Sequence, residues 1–258
     1  MTTPESEATT MTEQKPPALP RGVIEGIKTI VYALLIALVI RTFLFQPFNI
    51  PSGSMMDTLL IGDYLFVSKY SYGYSKHSFP FSPDVFDGRI LGAMPERGDV
   101  VVFANPNDGW KDYIKRVIGL PGDTVQMIDG VLYINGQAST YRKVEDYVET
   151  DRYGIERRVP KYIETLPNGF QHYVLDAAPN GPNDNTEEFV VPEGHFFMMG
   201  DNRDNSDDSR GRVGYVAEEN LIGHAQLIFF STDGSAEWWE FWNWPFAIRY
   251  SRLFNFVS

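Results

Sequence analysis

From Val23 to Phe45 the chain is apolar except for Glu25, Gly26, Lys28, Thr29, Arg41 and Thr42, and its uncharged centre, Thr29 to Ile40, runs for twelve residues. Twelve residues fall short of a bilayer. Lys28 and Arg41 can snorkel to opposite interfaces, however, and so lengthen the span to about 20 residues. A buried core helix and a cleaved secretory leader share this pattern, but a leader needs small side chains near its cleavage site, where this chain has Phe43, Phe45 and Phe48. The pattern therefore predicts a single transmembrane anchor over residues 21–45. Residues 1–20 are dominated by Thr, Glu, Pro and Gln and predict a disordered tail. Lys15 and Arg21 precede the span and only Arg41 soon follows it, which predicts a cytoplasmic N-terminus with residues 46–258 on the other side of the membrane.

Beyond Phe45 the apolar positions alternate or run in short β-branched and aromatic stretches, with no sustained 3.6-residue period. Strands are predicted at 64–69, 99–104, 113–120, 124–128, 131–134, 195–199 and 221–230. Asp129-Gly130 links two of them with two residues, the signature of a type I′ hairpin, and Asn135-Gly136 ends the second in the same way. Gly62-Asp63, Gly98-Asp99 and Gly122-Asp123 each precede a strand, a turn in which Gly supplies the unusual backbone angle and Asp can cap it. Residues 70–94 interleave Tyr, Phe, Ser, Gly and Pro and predict a long exposed loop. Around residues 140–190 the periodicity blurs, and Pro and Asn become frequent, predicting an inserted β subdomain. The fold class expected is mainly β: an antiparallel β domain with an inserted β subdomain, behind one transmembrane helix.

Composition removes several function classes. The 22 basic against 34 acidic residues give a net charge of −12, the wrong sign for a phosphate-binding surface, so nucleic acid is excluded as a partner. With no cysteine there is no thiolate nucleophile, disulfide or Cys-ligated metal. His77, His172, His195 and His224 sit in unrelated contexts and none accompanies a Gly-x-Ser-x-Gly elbow, so a Ser-His-Asp triad has no support; they read as surface or satisfied partly buried histidines. The acidic run 201–208 does not fit a calcium loop. Starting at Asp201 it puts Arg203 at the third ligand position, and starting at Asp204 it lacks the Gly and Glu such a loop needs. No metal or other cofactor is expected.

A serine on a turn and a lysine on a strand remain. In Pro51-Ser52-Gly53-Ser54, Gly53 would let a substrate backbone come close to Ser54, though such a serine is far more often a turn or capping residue. In Tyr113-Ile114-Lys115-Arg116-Val117-Ile118, strand alternation puts Lys115 and Arg116 on opposite faces, each among apolar neighbours. A desolvated lysine can lose its charge, whereas an arginine keeps it and must find a carboxylate, such as those in 201–208.

Pro51-Ser52-Gly53-Ser54-Met55-Met56 with Thr58-Leu59, Arg97 to Phe103, Tyr113-Ile114-Lys115-Arg116 with Gly119-Leu120-Pro121-Gly122-Asp123, and Gly200 to Ser206 with Asp208-Ser209-Arg210 together resemble the successive boxes of bacterial type I signal peptidase. The resemblance spans roughly residues 23–252, apart from the insertion. It departs at Asp57, where the family usually has Pro. The resemblance implies a membrane-anchored serine endopeptidase that removes signal peptides from secreted preproteins after an Ala-x-Ala-like motif, through an acyl-enzyme. It implies Ser54 as nucleophile, Lys115 as general base, Ser206 as the group orienting the lysine, and Ser52 with the Ser54 N–H as oxyanion hole. Arg116 with Asp201, and Asp208 with Arg210, are implied as structural pairs. Its implied partners are signal-peptide-bearing preproteins, plasma membrane lipids and the secretion machinery, and its implied place is the bacterial plasma (inner) membrane, with the catalytic domain on the outer, periplasmic face.

Two rivals are weaker. A silent membrane-anchored binding domain would not need Ser54 and Lys115 together, and a self-cleaving regulator of the LexA type would need a DNA-binding helical domain in place of the tail and span. Four of the five tryptophans fall within 238–246, a clustering that fits an interfacial membrane contact better than core packing.

Overall fold

The computed structural model describes residues 20–258 except 80, 81, 85, 151–154, 179 and 238. The predicted tail up to Leu19 and Trp238 lie outside the described residues. The chain divides into two compact units, one ending at Val39 and the other comprising Ile40–Ser258. Helix α1, Arg21–Phe43, is the one described helix long and apolar enough to cross a membrane, with a mean hydropathy of 2.2 over its most apolar window and none of that window buried. It ends two residues before the predicted anchor does, because Phe45 already belongs to a strand.

The second unit is built almost wholly of antiparallel strands: β1 (Phe45–Asn49), β2 (Asp63–Ser68), β3 (Val100–Asn105), β4 (Asp108–Gly119), β5 (Thr124–Ile128), β6 (Val131–Ile134), β7 (Gln137–Ala138), β8 (Thr140–Lys143), β9 (Tyr147–Thr150), β10 (Glu156–Val159), β11 (Lys161–Thr165), β12 (Gln171–Leu175), β13 (Phe189–Val190), β14 (His195–Met199), β15 (Val216–Ala217), β16 (Leu221–Ser231) and β17 (Asn255–Phe256). The main sheet runs β1-β2-β16-β3-β4-β14-β15, with β17 also on β16. Pro47 is tolerated in β1 because that strand is an edge and needs no further backbone donor.

Central β3 explains its own unbroken apolar run. Val100, Val102 and Ala104 face one core cluster with Leu65, Val67 and Ile228, while Val101 and Phe103 face another with Val117, Phe196 and Met198. A strand covered on both faces loses the polar half of its alternation. The insertion is β-rich as expected: β8, β11 and β12 form one small sheet and β9 with β10 a hairpin.

The turns follow their residues. Asp129 and Gly130 have φ of +49° and +77°, and Asn135 and Gly136 +52° and +73°, as type I′ geometry demands. Each of the three Gly-Asp turns uses its carboxylate identically. Asp63, Asp99 and Asp123 accept the backbone N–H three residues earlier, from Leu60 (2.8 Å), Glu96 (3.0 Å) and Leu120 (2.6 Å). The exposed loop expected over 70–94 is found in its second half, where residues 82–84, 87, 88 and 90–94 are exposed, but its first half is corrected: Tyr72, Ser75 and Ser78 are buried and Lys76–Ser78 forms a 3-10 turn. Tyr72 joins the apolar cluster under β3, and its hydroxyl donates to Asp99 at 2.7 Å, so the start of the segment packs against the sheet.

Gly62 and Gly122 share this turn but not its surroundings. Gly62 has φ of +90° and an added Cβ would meet the Thr232 carbonyl oxygen at 2.1 Å, whereas Gly122, at +85°, has nothing within 4 Å. Gly122→Ala should lose only the backbone strain, about 1 kcal/mol, and Gly62→Ala distinctly more, about 3 kcal/mol. Urea denaturation of the two variants checks the order, and equal losses would refute the role given to Thr232.

Candidate active site

Ser54 sits on the turn between β1 and β2. Met56 N–H donates to the Gly53 carbonyl at 3.2 Å and Leu59 N–H to that of Met55 at 2.8 Å, while Met55 and Leu59 are fully buried under the sheet. The loop after β14 grips the same turn, for Asn202 donates through its backbone N–H to the Ser54 carbonyl (3.1 Å) and through Nδ2 to that of Gly53 (3.0 Å). Gly200 makes this approach possible: a Cβ there would meet Ser206 Oγ at 2.2 Å and the Ser54 carbonyl oxygen at 2.5 Å.

Lys115 reaches the turn from β4. Its Nζ hydrogen-bonds Ser54 Oγ at 2.8 Å and donates to the Ile114 carbonyl at 3.0 Å. The residue is 4% exposed. Burial lowers its pKa to about 8, opposed by the more distant carboxylates of Asp208, Asp207 and Asp201. A cavity of about 750 Å³ opens over the pair, and Ile50, Ser52, Val102, Ile114 and Ser206 are among the residues lining it. Ser52 is exposed at its mouth. The Ser54 N–H makes no backbone hydrogen bond among the described residues. Ser206 Oγ is buried without a hydrogen bond of ordinary geometry, and none joins it to Lys115.

Arg116 points to the opposite face of β4, wholly buried. Its Nε and Nη2 bind the two oxygens of Asp201 at 2.8 and 2.7 Å, and Nη1 donates to the Gly98 carbonyl at 2.6 Å. Thr58 donates to Asp201 at 2.5 Å. Asp208 and Arg210 form a second two-pronged pair, at 3.0 and 2.8 Å, and Asp208 also accepts the Gly200 N–H at 3.0 Å. Burial alone would raise both carboxyls, but the adjacent guanidinium holds each below its ordinary value.

The sequence reasoning missed the buried network beside these pairs. Glu164 on β11 binds Arg203 through both oxygens, at 3.2 Å to Nη1 and more closely to Nη2, and His172 Nε2 on β12 lies 3.1 Å from Glu164 and 3.8 Å from Asp201. Buried His172 is thus wedged among charges, and burial with the nearby Arg116 lowers its pKa. The insertion therefore reaches the floor of the site. A faint signal existed: Arg203 is a cation inside the acidic run, and Glu164 is flanked by Ile163 and by Leu166 two residues on.

Residues 23–230 match the family described as Signal peptidase, peptidase S26. The chain belongs to the signal peptidase family. It is 45% identical to the signal peptidase I of Rickettsia typhi over 87% of this chain and 90% of that one, and 47% identical to that of Rickettsia conorii over 81% and 79%. A crystal structure of a signal peptidase I from Enterococcus faecalis is 29% identical, covering 51% of this chain and 97% of its own, with a TM-score of 0.32. As a family member the chain is a serine endopeptidase, a hydrolase that removes signal peptides from preproteins. The family is anchored in the membrane, and α1 is the candidate span.

Asp201→Ala would leave the Arg116 charge buried and unpaired, so it should lose about 3 kcal/mol of stability in urea denaturation. Acid should act in the same direction. Asp201, Asp208 and Glu164 are all held below the ordinary carboxylate range, Glu164 because Arg203 outweighs its burial. Their contribution is present above about pH 4 and is lost as pH falls through the depressed folded values. Glu164→Gln should therefore flatten the fall of melting temperature below about pH 4.

Proposed function

We propose that the chain cleaves preproteins by a Ser54–Lys115 dyad. The observation that carries this is the buried 2.8 Å contact between Lys115 Nζ and Ser54 Oγ, in a cavity open to substrate. The neutral Lys115 amine takes the Ser54 proton as Oγ attacks the scissile carbonyl. The protonated amine then gives that proton to the leaving nitrogen, and the acyl-enzyme is released by a water that Lys115 deprotonates in turn. The developing oxyanion would accept hydrogen bonds from the Ser54 N–H and the Ser52 hydroxyl, both free to do so at the cavity mouth. Ser206, its hydroxyl buried in the same cavity beside Asp208, would turn to orient the lysine amine in the substrate complex. Arg116, Asp201, Asp208 and Arg210 touch no reacting atom in this scheme and serve as scaffolding.

The substrate would be cut after an Ala-x-Ala-like motif, which the resemblance of the boxes around Ser54 and Lys115 supports. By Lys15 before α1 and Arg21 at its start, against Arg41 alone near its end, the N-terminus would lie in the cytoplasm and the catalytic unit on the outer face of the bacterial plasma membrane. There it would meet preproteins beside lipid and the secretion machinery. Exposed Trp239, Phe241, Trp242, Trp244 and Phe246 support lipid contact by the C-terminal segment.

Ser54→Ala and Lys115→Met should each abolish preprotein cleavage with an unchanged circular dichroism spectrum, since nucleophile and base cannot replace one another. Retention of a tenth of wild-type turnover by either, read by mass spectrometry of the products, would sink the dyad.

The pH profile follows from the lysine. With a pKa of about 8, roughly a tenth of Lys115 is neutral at pH 7, against about one in two thousand for a solvated lysine. The single-turnover rate should rise through one ionisation near 8 and stay level above it. A rate still climbing at pH 10 would rule out a desolvated base.

A further inference from the structure

The turn that carries Ser54 is held from below by the insertion as well as by the main sheet. Met56 is buried in a small apolar cluster with Val159 and Leu175, both contributed by the insertion. Next to it, Asp57 pairs with Lys161, the first residue of β11. The Lys161 ammonium also stands 3.9 Å from the centre of the Tyr173 ring on β12. In the β11–β12 register Lys161 lies opposite Leu175 and Ile163 opposite Tyr173, so Lys161 and Tyr173 are diagonal neighbours on one face. The side chains of Asp57 and Lys161 are only 23% and 18% exposed, so solvent screens the pair less than a free surface pair. The end of β12 reaches the other wall of the site too, where the Leu175 N–H donates to the Asp201 carbonyl at 2.9 Å.

We propose that Lys161, through Asp57, is a positioning residue for the nucleophile: the inserted hairpin sets where Ser54 Oγ stands relative to Lys115 Nζ. The proposal rests on the reading of those two residues as the reacting pair. Asp57 is three residues from Ser54 along a tightly hydrogen-bonded turn, so a displacement at one end is passed to the other. Thr58, the next residue, is fixed on its far side by Arg252, which donates to its carbonyl at 2.9 Å, and by Asp201. Freeing Asp57 therefore leaves the turn hinged at Thr58, with Met56 packing as its remaining link to the insertion. Reaction rates fall steeply when reacting atoms drift by fractions of an ångström, whereas substrate binding along the cavity walls is insensitive to it.

The test uses the full chain in detergent micelles with a preprotein substrate. Lys161→Met and Asp57→Asn should each lower kcat about tenfold with KM within about twofold of wild type. The double variant should be no slower than the slower single, because both changes break one contact. Asp57→Glu, which keeps the charge, should recover most of the rate. A Lys161→Met enzyme with wild-type kcat would overturn the proposal, as would losses that multiply in the double variant. A fall in kcat that only tracks the folded fraction in a thermal melt would equally overturn it, making the pair merely structural. Ser54→Ala run alongside separates the two failures: if it still turns over, the dyad itself is wrong, and if it is dead while Lys161→Met is normal, only the positioning role is lost.

Discussion

Strand β4 buries two cations side by side, and the site depends on the different ways it does so. Neither Lys115 nor Arg116 can stay charged and alone in that interior, since a desolvated ion without a partner is among the most unfavourable arrangements a fold can contain. The lysine meets the constraint by holding its proton less tightly, with its pKa lowered to about 8, and the arginine, which cannot, takes Asp201 in a two-pronged pair with its remaining arm on the Gly98 carbonyl. Because adjacent strand residues point to opposite faces, the Lys115 amine and the Arg116–Asp201 pair are kept apart by the strand itself.

The arginine's demand propagates. Asp201 must be brought under β4, which draws the loop after β14 against the Ser54 turn, and the same loop supplies Asn202 to the Gly53 and Ser54 carbonyls. That loop carries a further cation, Arg203, whose burial calls for Glu164 from the insertion. A chain of buried charges thus runs from β4 into the inserted sheet, each member placed by the need to neutralise the one before. A serine on a loop would ordinarily be mobile, but Ser54 is tied down on several sides.

This chain of demands also decides what the sequence could reveal. The two cations on β4 were legible because alternation alone says that they face opposite ways, and a buried arginine announces that an acid must exist. Turns at Asp129-Gly130 and Gly62-Asp63 were legible because only certain residues adopt their backbone angles. Glu164 and His172 were not, since their meaning depends on a pairing between β11 and β12 and on a contact with Arg203 that lies 39 residues away. The packed start of the 70–94 segment was misread for a related reason: its Tyr and Ser residues look solvent-compatible until Asp99 offers Tyr72 a part-buried acceptor. Strand β1 was hidden because its apolar start continues the run of α1 without a break.

A lysine base without a histidine also needs its pKa moved by a limited amount. Desolvation supplies the neutral amine, but unopposed desolvation would leave a base too weak to take a serine proton in the transition state. The three aspartates at 201, 207 and 208 oppose it from a distance, and each is already paired with an arginine, so each exerts a partial pull on the ammonium. The result, about 8, leaves roughly a tenth of the amine neutral at pH 7 while the amine remains basic enough to accept the proton. In the proposed dyad these pairs therefore act on the lysine without touching the reacting atoms. Removing Asp208 would not only loosen the loop around Gly200 but also let the lysine drift toward a weaker base, coupling the stability of the site to its reactivity.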